Sequence, residues 1–316
     1  HGNTLGESLP AVFLFLWKDM RFKSEVQALL TNDRGGVQMK KKSRIRAEVI
    51  IVVLGLSVTA AVLGGCRTQS EINAKGIEEL PEIVIGSDDY PPFNYVDENG
   101  QPTGIDVDLA KEAFGRMGYQ AVFKQINWEE KRTLLEDGKI DCIWGSFSID
   151  GREDDYNWAG PYMVSRQVVA VNEDSDIYTL QDLEGKRVAV QSTTKPEELF
   201  ENHKEKNLPA LKELFSLQNR ELIYPFLSKG YVDAVAAHET AVLQYMKDYN
   251  LKYRILAEPL LTVGLGVAFG KNDKRGIAEE LTDIFGEMRV DGTAEKILSK
   301  YLNEADRYLE VDSYEK

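Results

Sequence analysis

The chain has 316 residues, of which 43% are hydrophobic, so it is long enough to form two domains with buried cores. Its formal net charge of −14 argues against nucleic-acid binding, which needs a basic surface. The two cysteines are too few for a disulfide framework, and the three histidines are scattered without metal-ligand spacing, so we expect no metal and no cofactor.

The first part of the chain precedes the predicted domains. Residues 1–38 contain an apolar patch too short to span a bilayer, and we interpret them as an upstream translated extension or a cloning remnant. From Met39 onward, a basic segment is followed by the apolar residues 49–63. This order predicts a signal peptide over residues 39–65.

The end of this signal peptide, Leu63-Gly64-Gly65-Cys66, resembles the lipobox of bacterial lipoproteins. The resemblance implies that Cys66 is lipidated and becomes the mature N-terminus. An uncleaved membrane anchor is the alternative, which the small residues before the cysteine disfavour. Residues 66–80 are mostly polar and predict a flexible tether.

Residues 83–114 predict a strand, a loop and a helix. Residues 83–85 form a β-branched run that stops at a glycine, which is typical of a buried strand. The loop after it combines acids and aromatics with two prolines, so we expect its side chains to be displayed. Asn99-Gly100 predicts a hairpin turn, and Asp106 is expected to cap the helix.

Strands and helices then alternate, which predicts parallel sheets with crossover helices. Strands are predicted at residues 121–125, 140–144, 168–171, 187–191, 232–236, 253–257 and 261–269. Helices are predicted at residues 128–135, 196–203, 211–215, 224–228, 240–248, 276–290 and 293–301. Such sheets bind ligands at the carboxyl ends of their strands, so residues 145–152 are expected to form a loop that faces the same cleft as the first loop.

Two of these strands, at residues 168–171 and 261–269, are predicted to cross between two lobes, which permits a hinge. The predicted division of the chain assigns residues 81–167 and 263–302 to lobe 1, 168–262 to lobe 2, and 303–316 to a charged tail.

Several separated motifs resemble, in the same order, the extracellular solute-binding proteins of amino-acid ABC transporters, family 3. They are IVIGSDDYPPFNY, DGKIDCIWGSFSIDGRED, GPYMVSRQVVAV, LQDLEGKRVAVQSTT and LSKGYVDAVAAHET. The resemblance implies an α/β, two-lobed type 2 periplasmic-binding-protein fold, with a mostly parallel sheet in each lobe. It also implies a monomer, anchored on the extracytoplasmic face of the membrane, that closes its lobes on an amino acid and delivers it to an ABC permease.

By this resemblance, Arg152 occupies the position of the arginine that clamps the ligand carboxylate, and a guanidinium can bind both oxygens. The alternative is an exposed arginine paired with a neighbouring acid. Thr193 and Thr194 are expected to reach the same carboxylate from the second lobe, and Thr194 is also expected to cap the following helix.

The ammonium of the ligand needs an acceptor. His238 occupies the position where the family commonly has an aspartate, but Glu239 is the anionic residue there, so we expect Glu239 to accept from the ammonium. The alternative for Glu239 is a first-turn acid facing the helix dipole. His238 either contacts the ligand or lines the rim, and Asp88 is a second candidate acceptor.

Tyr90 and Phe93 are expected to enclose the apolar part of the ligand; the alternative for one of them is packing beneath the loop. Backbone and hydroxyl contacts are expected from the segment after the third strand, and which of its members faces the ligand stays open: Gly145, Ser146, Phe147 and Ser148. The acids near the cleft favour a polar or cationic ligand side chain.

Two other functions have less support in the sequence. An enzyme on the same fold, of dehydratase or hydrolase type, lacks support from any Ser/His/Asp order, metal cluster or isolated pair of carboxylates. A ligand-binding sensory module usually needs a transmembrane and signalling segment after the domain, and we expect none after Tyr301.

Overall fold

The computed structural model of the protein describes residues 80–203 and 207–312. These residues form a mixed α/β fold with one nine-stranded sheet, one two-stranded hairpin and flanking helices. The strands are β1 (Glu82–Ser87), β2 (Tyr95–Val96), β3 (Pro102–Thr103), β4 (Gln120–Gln125), β5 (Cys142–Ser148), β6 (Asn157–Asn172), β7 (Arg187–Gln191), β8 (Glu213–Leu217), β9 (Ala234–His238), β10 (Tyr253–Ile255) and β11 (Leu261–Phe269).

Seven α-helices lie in the described part of the chain. They are α1 (Ile105–Arg116), α2 (Lys131–Glu136), α3 (Lys195–Glu201), α4 (Ile223–Ser228), α5 (Glu239–Asp248), α6 (Ile277–Val290) and α7 (Thr293–Leu298). Short 3-10 helices are found at Trp128–Glu130, Leu180–Leu183, Arg220–Leu222 and Ala305–Tyr308. Among the described residues, no helix is both long enough and apolar enough to cross a membrane.

The large sheet runs in the order β4-β1-β5-β11-β6-β9-β7-β8, with β10 also paired to β6. Within each end of the sheet the strands pair in parallel: β1 pairs with β4 and β5, and β7 pairs with β8 and β9. Between them, β11 pairs with β5 and β6, and β6 also pairs with β9, all antiparallel. We call the part around β1, β4 and β5 the first half and the part around β7, β8 and β9 the second half.

Each half has its own hydrophobic core. In the first half, Trp144 on β5 packs with Phe114 of α1 and Phe285 of α6, at ring-centroid distances of 6.0 and 5.5 Å. In the second half, two apolar clusters cover the two faces of β7 and β9, one with Ala189 and Val235, the other with Val188 and Val190. Strands buried on both faces have continuous apolar sequences, which is why these strands could be predicted.

The fold class predicted from the sequence is confirmed, and two crossing strands join the halves. The strand at Arg187–Gln191 has its predicted bounds. The first crossing strand is longer than predicted, because β6 begins at Asn157 and pairs with β11 before it reaches β9.

Three local predictions were wrong. Residues 211–215 were expected to be helical, but Glu213–Leu217 is strand β8, because parallel pairing with β7 outweighs the local helix preference of Leu, Lys and Glu. Residues 145–148 were expected in a loop, but antiparallel pairing with β11 extends β5 to Ser148. Asp106 does not cap α1: the N-cap is Gly104, and the Asp106 carboxylate turns inward.

Candidate ligand-binding cavity

A narrow cavity lies between the two halves at the carboxyl ends of β5, β7 and β9. Its volume is about 30 Å³, so a solute larger than a few waters would touch walls on several sides. Its lining is Tyr90, Trp128, Gly145, Ser146, Phe147, Ser148, Arg152, Gln167, Gln191, Thr193, Thr194, Lys195, Pro196, Arg220, Ile223, Ala236, Ala237 and His238.

Hydrogen bonds and ion pairs cross the cleft around this cavity. Asp88 of the first half accepts from Gln191 Nε2 (2.8 Å) and from Arg220 Nη2 (3.2 Å) of the second half. Lys131 Nζ donates to Thr193 Oγ1 (2.8 Å). These contacts require the halves to be close together, so the structure shows the cleft in a closed arrangement.

Arg152 projects into the cavity from the loop after β5. Its guanidinium carbon lies 5.3 Å from the centroid of the Phe147 ring, and Nη2 lies 3.3 Å from a carboxylate oxygen of Glu198 in the other half. Nη1 donates to the carbonyl oxygen of Ser148 (3.3 Å). The end of β5 therefore positions the Arg152 guanidinium. Burial lowers the pKa of Arg152, and the Glu198 charge opposes that effect.

Ser146 lies in the cavity wall with a left-handed backbone, at φ 53°. Its backbone N–H donates to Asp106 Oδ2 (2.8 Å), and Tyr162 donates to Oδ1 of the same carboxylate (2.8 Å). The Asp106 carboxylate therefore stabilises a backbone conformation of Ser146 that L-residues seldom adopt. Burial raises the pKa of Asp106 to about 7, although both hydrogen bonds lower it.

His238 is buried at the carboxyl end of β9. One ring nitrogen lies 2.9 Å from Ser165 Oγ, and the other lies 2.9 Å from Gln167 Nε2. Burial and the nearby Arg220 charge lower the pKa of His238 to about 3, so the imidazole is neutral at physiological pH. His238 can therefore offer only a neutral group to a solute there.

The aromatic residues of the first loop lie at different depths. Tyr90 lines the cavity, and its hydroxyl accepts from the backbone N–H of His238 (3.3 Å). Phe93 has no exposed surface and packs against the rings of Tyr90 and His238, at centroid distances of 5.4 and 5.7 Å. Phe93 thus supports the cavity wall from behind.

Thr193 and Thr194 line the cavity from the second half. Thr193 has a left-handed backbone (φ 56°), and its N–H donates to Glu197 Oε2 (2.6 Å). Thr194 is the N-cap residue of α3, but its hydroxyl makes no capping bond and donates instead to the carbonyl oxygen of Gln191 (2.6 Å).

Nine of the twelve ligand-binding residues expected from the sequence line this cavity, and Asp88, Phe93 and Glu239 do not. Glu239 begins α5 and accepts from Arg166 Nη1 (3.0 Å), beside a separate surface cavity. The carboxylate of Glu239 therefore pairs with Arg166 and lies outside the cavity lining, which favours the alternative of a first-turn acid over contact with the ammonium. Asp88 is placed behind the wall by its bonds to Gln191 and Arg220.

Several lining residues were missed by sequence reasoning: Trp128, Gln167, Gln191, Lys195, Pro196 and Arg220. Gln191 and Lys195 flank the predicted threonines, so the end of β7 was a signal that could have found them. Arg220 lies in a short 3-10 helix between two of the recognised motifs, and nothing in the local sequence points to it.

The fold, with a cavity between its two halves, is that of a two-lobed periplasmic-binding protein of type 2. The chain belongs to the bacterial extracellular solute-binding proteins, family 3, whose sequence model matches residues 83–304. At the level of this family, its function is the capture of a solute outside the cytoplasm and its delivery to a transporter.

Individual known proteins are also similar to this chain. A histidine-binding periplasmic protein of Escherichia coli (strain K12) is 36% identical over 232 residues, which cover 70% of this chain and 87% of the relative. An ancestral arginine-binding protein bound to arginine has a similar structure (28% identity, TM-score 0.64, 70% of this chain, 98% of that one). So has an ancestral amino acid-binding protein described as a precursor of cyclohexadienyl dehydratase (26% identity, TM-score 0.62, 70% and 96%).

Proposed function

We propose that the protein captures a free α-amino acid in this cavity and delivers it to the permease of an ABC transporter. The main support is that both halves contribute polar walls to one closed cavity. The relatives that bind histidine and arginine support an amino acid as the solute.

The carboxylate of the amino acid would bind Arg152, whose fork can contact both oxygens. Lys195 is buried near it and shares the partner Glu198, at 2.5 Å. The ammonium would bind neutral oxygens, because Ser146 Oγ and Gln191 Oε1 are buried in the wall without a hydrogen-bond partner. Buried polar groups that lack a partner carry a cost, which a bound solute would relieve.

Closure of the two lobes would couple binding to transport. In this proposal, lobe 1 comprises residues 81–167 and 263–302, lobe 2 comprises residues 168–262, and the crossing strands β6 and β11 contain the hinge. The solute contacts Arg152 and Thr194 together only when the cleft is closed, so binding favours the closed form that a permease would recognise.

Cys66 and the preceding signal sequence lie outside the described residues. We retain the proposal that Cys66 is lipidated and holds a monomeric protein on the extracytoplasmic face of the membrane. A Cys66→Ser variant of the full chain should lose labelling by a radioactive fatty acid and appear in the medium or periplasm. Unchanged membrane association would contradict the anchor.

We also propose that the protein binds its solute without changing it. The similarity to a dehydratase precursor makes an enzyme the second candidate. That candidate requires a proton donor or acceptor at the solute, and the His238 pKa of about 3 makes the imidazole a poor base. Recovery of the bound solute unaltered, by mass spectrometry after prolonged incubation, supports binding alone.

A thermal-shift panel of the twenty amino acids and cystine tests the proposed function. A solute at 100 times its Kd should stabilise the folded form by about 2.7 kcal/mol, and only the true solutes should do so. No stabilisation by any amino acid would contradict the proposal. Titration of the best solute then gives the affinity that the predictions below require.

A further inference from the structure

The charged groups of the cavity wall are all cationic. Among the described residues that line it, Arg152, Lys195 and Arg220 carry positive charge, and no aspartate or glutamate is present. Lys131 adds a fourth cation directly behind the wall, where it is buried and donates to Thr193. A cationic side chain in this space would meet like charges at short range in a partly dehydrated site, which is unfavourable.

The carboxylates near the wall do not balance these cations. Glu198 serves both Arg152 (3.3 Å) and Lys195 (2.5 Å), and its own side chain is 37% exposed. Asp88 pairs with Arg220 from behind. One carboxylate shared by two cations leaves positive charge uncompensated at that end of the cavity.

Arg220 forms the other charged end. Its guanidinium carbon lies 3.1 Å from the centroid of the Tyr90 ring, and Asp88 accepts from Nη2. Nε of Arg220 is buried and has no hydrogen-bond partner. A guanidinium N–H of this kind is a donor suited to a carboxylate oxygen.

We infer that the solute carries two carboxylates, one bound by Arg152 with Lys195 and the other by Arg220. This inference rests on the proposed capture of a solute in this cavity and names the class of that solute: an acidic amino acid or an amino-free dicarboxylate. It reverses the polar or cationic preference that the sequence favoured, because the acids behind that expectation, Asp88, Asp89 and Glu239, do not line the cavity.

Lys131 also responds to the cations of the cavity wall. Burial first, and then the Arg152 and Arg220 charges, lower the pKa of Lys131 to about 7, against the opposing charges of Asp88 and Glu129. A bound carboxylate would offset that repulsion and favour the protonated lysine. Uptake of protons on binding near pH 8 is therefore expected, and it can be measured by titration in buffers of different ionisation enthalpy.

Isothermal titration of the full chain with matched solutes tests the inference. The panel is L-glutamate, L-aspartate, succinate, 2-oxoglutarate, L-glutamine, L-histidine, L-arginine and L-lysine. We expect an acidic member to bind at least about tenfold more tightly than glutamine, with no detectable binding of arginine or lysine. Because the panel contains both amino acids and amino-free acids, it distinguishes an acidic amino acid from an amino-free dicarboxylate as the solute.

Tightest binding of histidine, arginine, lysine or glutamine would overturn the inference and leave the proposed function standing. Tightest binding of succinate or 2-oxoglutarate would support the inference and contradict an amino acid as the solute. Binding of no member would overturn both.

A paired variant locates the second carboxylate. Asp88→Asn with Arg220→Gln removes both charges together, so neither is left buried and unpaired. Affinity for the acidic solute should fall about thirtyfold or more, the loss typical of a buried charge partner. The control is Asp233→Asn with Arg187→Gln. These two residues form an ion pair (2.7 Å) within the second half and outside the cavity, so their replacement should leave the affinity unchanged. Equal affinities in both paired variants would contradict the role of Arg220.

Discussion

Arg152 and Glu198 face each other across the cleft, with Nη2 of the arginine 3.3 Å from the carboxylate of the glutamate. They come from different halves, so this contact exists only while the cleft is closed. In the proposed function, a solute carboxylate that enters the cavity binds the same guanidinium. Arg152 would then be both part of the closed interface and the main group that binds the solute.

Removal of the Arg152 charge should weaken solute binding. Arg152→Met keeps a side chain of similar length but leaves the solute carboxylate without its fork, and we expect a loss of about 2–5 kcal/mol in binding free energy. Isothermal titration measures it. Arg132→Met is the control, because Arg132 is exposed and pairs with Glu136 on its own helix. Unchanged affinity of the Arg152 variant would refute the assignment.

Glu239 should contribute little to binding. Its carboxylate accepts from Arg166 and does not line the cavity. Glu239→Gln should change the solute Kd by no more than about twofold, and the lost ion pair, which is partly exposed, should cost about 1 kcal/mol or less in unfolding free energy. Titration and chemical denaturation give the two values. A tenfold loss of affinity would restore Glu239 as the ammonium acceptor.

Phe93 should matter for stability. It is completely buried beneath Tyr90 and in contact with the His238 ring, so Phe93→Ala leaves a cavity in the core. We expect the free energy of unfolding to fall by about 3–5 kcal/mol, measured by denaturant titration. Tyr249→Ala, at a side chain that is 62% exposed, serves as the control and should change it little. A loss below 1 kcal/mol in the Phe93 variant would contradict the burial of Phe93 beneath Tyr90.

Asp106 should make stability depend on pH. Its pKa is about 7 in the folded protein and 3.8 for an ordinary aspartate, so between these values the folded form holds a proton that the unfolded chain releases. The contribution of Asp106 to stability is thus present below pH 3.8 and is lost as the pH rises through 7. From pH 4.5 to 8 the loss should be about 2–4 kcal/mol.

Asp106→Asn removes this titration. The stability of the natural protein relative to this variant should fall across the same pH range, as measured by denaturation at pH 4.5, 6 and 8. Asp283→Asn, on the exposed face of α6, is the control and should follow the natural protein. A difference that stays constant with pH would contradict the raised pKa.

The core strands could be predicted from the sequence because their apolar runs are set by local residue choice. Val188, Ala189 and Val190 are buried on both sides of β7, and their pattern fixed that strand. The edge strand β8 could not be predicted in the same way. Its first residues have a local preference for helix, and its pairing with β7 depends on residues far away in the chain.

The cavity residues also divide into those that local sequence predicts and those that depend on distant parts of the chain. Arg152, Thr193 and Thr194 could be found because they follow strands in recognisable motifs. Arg220 enters the cavity from a separate 3-10 helix and is held by Asp88, which lies 132 residues earlier in the chain. The direction of Glu239 depends on Arg166 in β6, a contact that only the antiparallel pairing of β6 with β9 brings about.

A crystal structure of the protein with its tightest solute tests the central claim most directly. We predict electron density for the solute between the two halves, with a carboxylate oxygen about 3 Å from the Arg152 guanidinium and contacts to Thr194 from the other half. A solute bound to one half alone, or at a site without Arg152, would contradict capture by closure of this cleft.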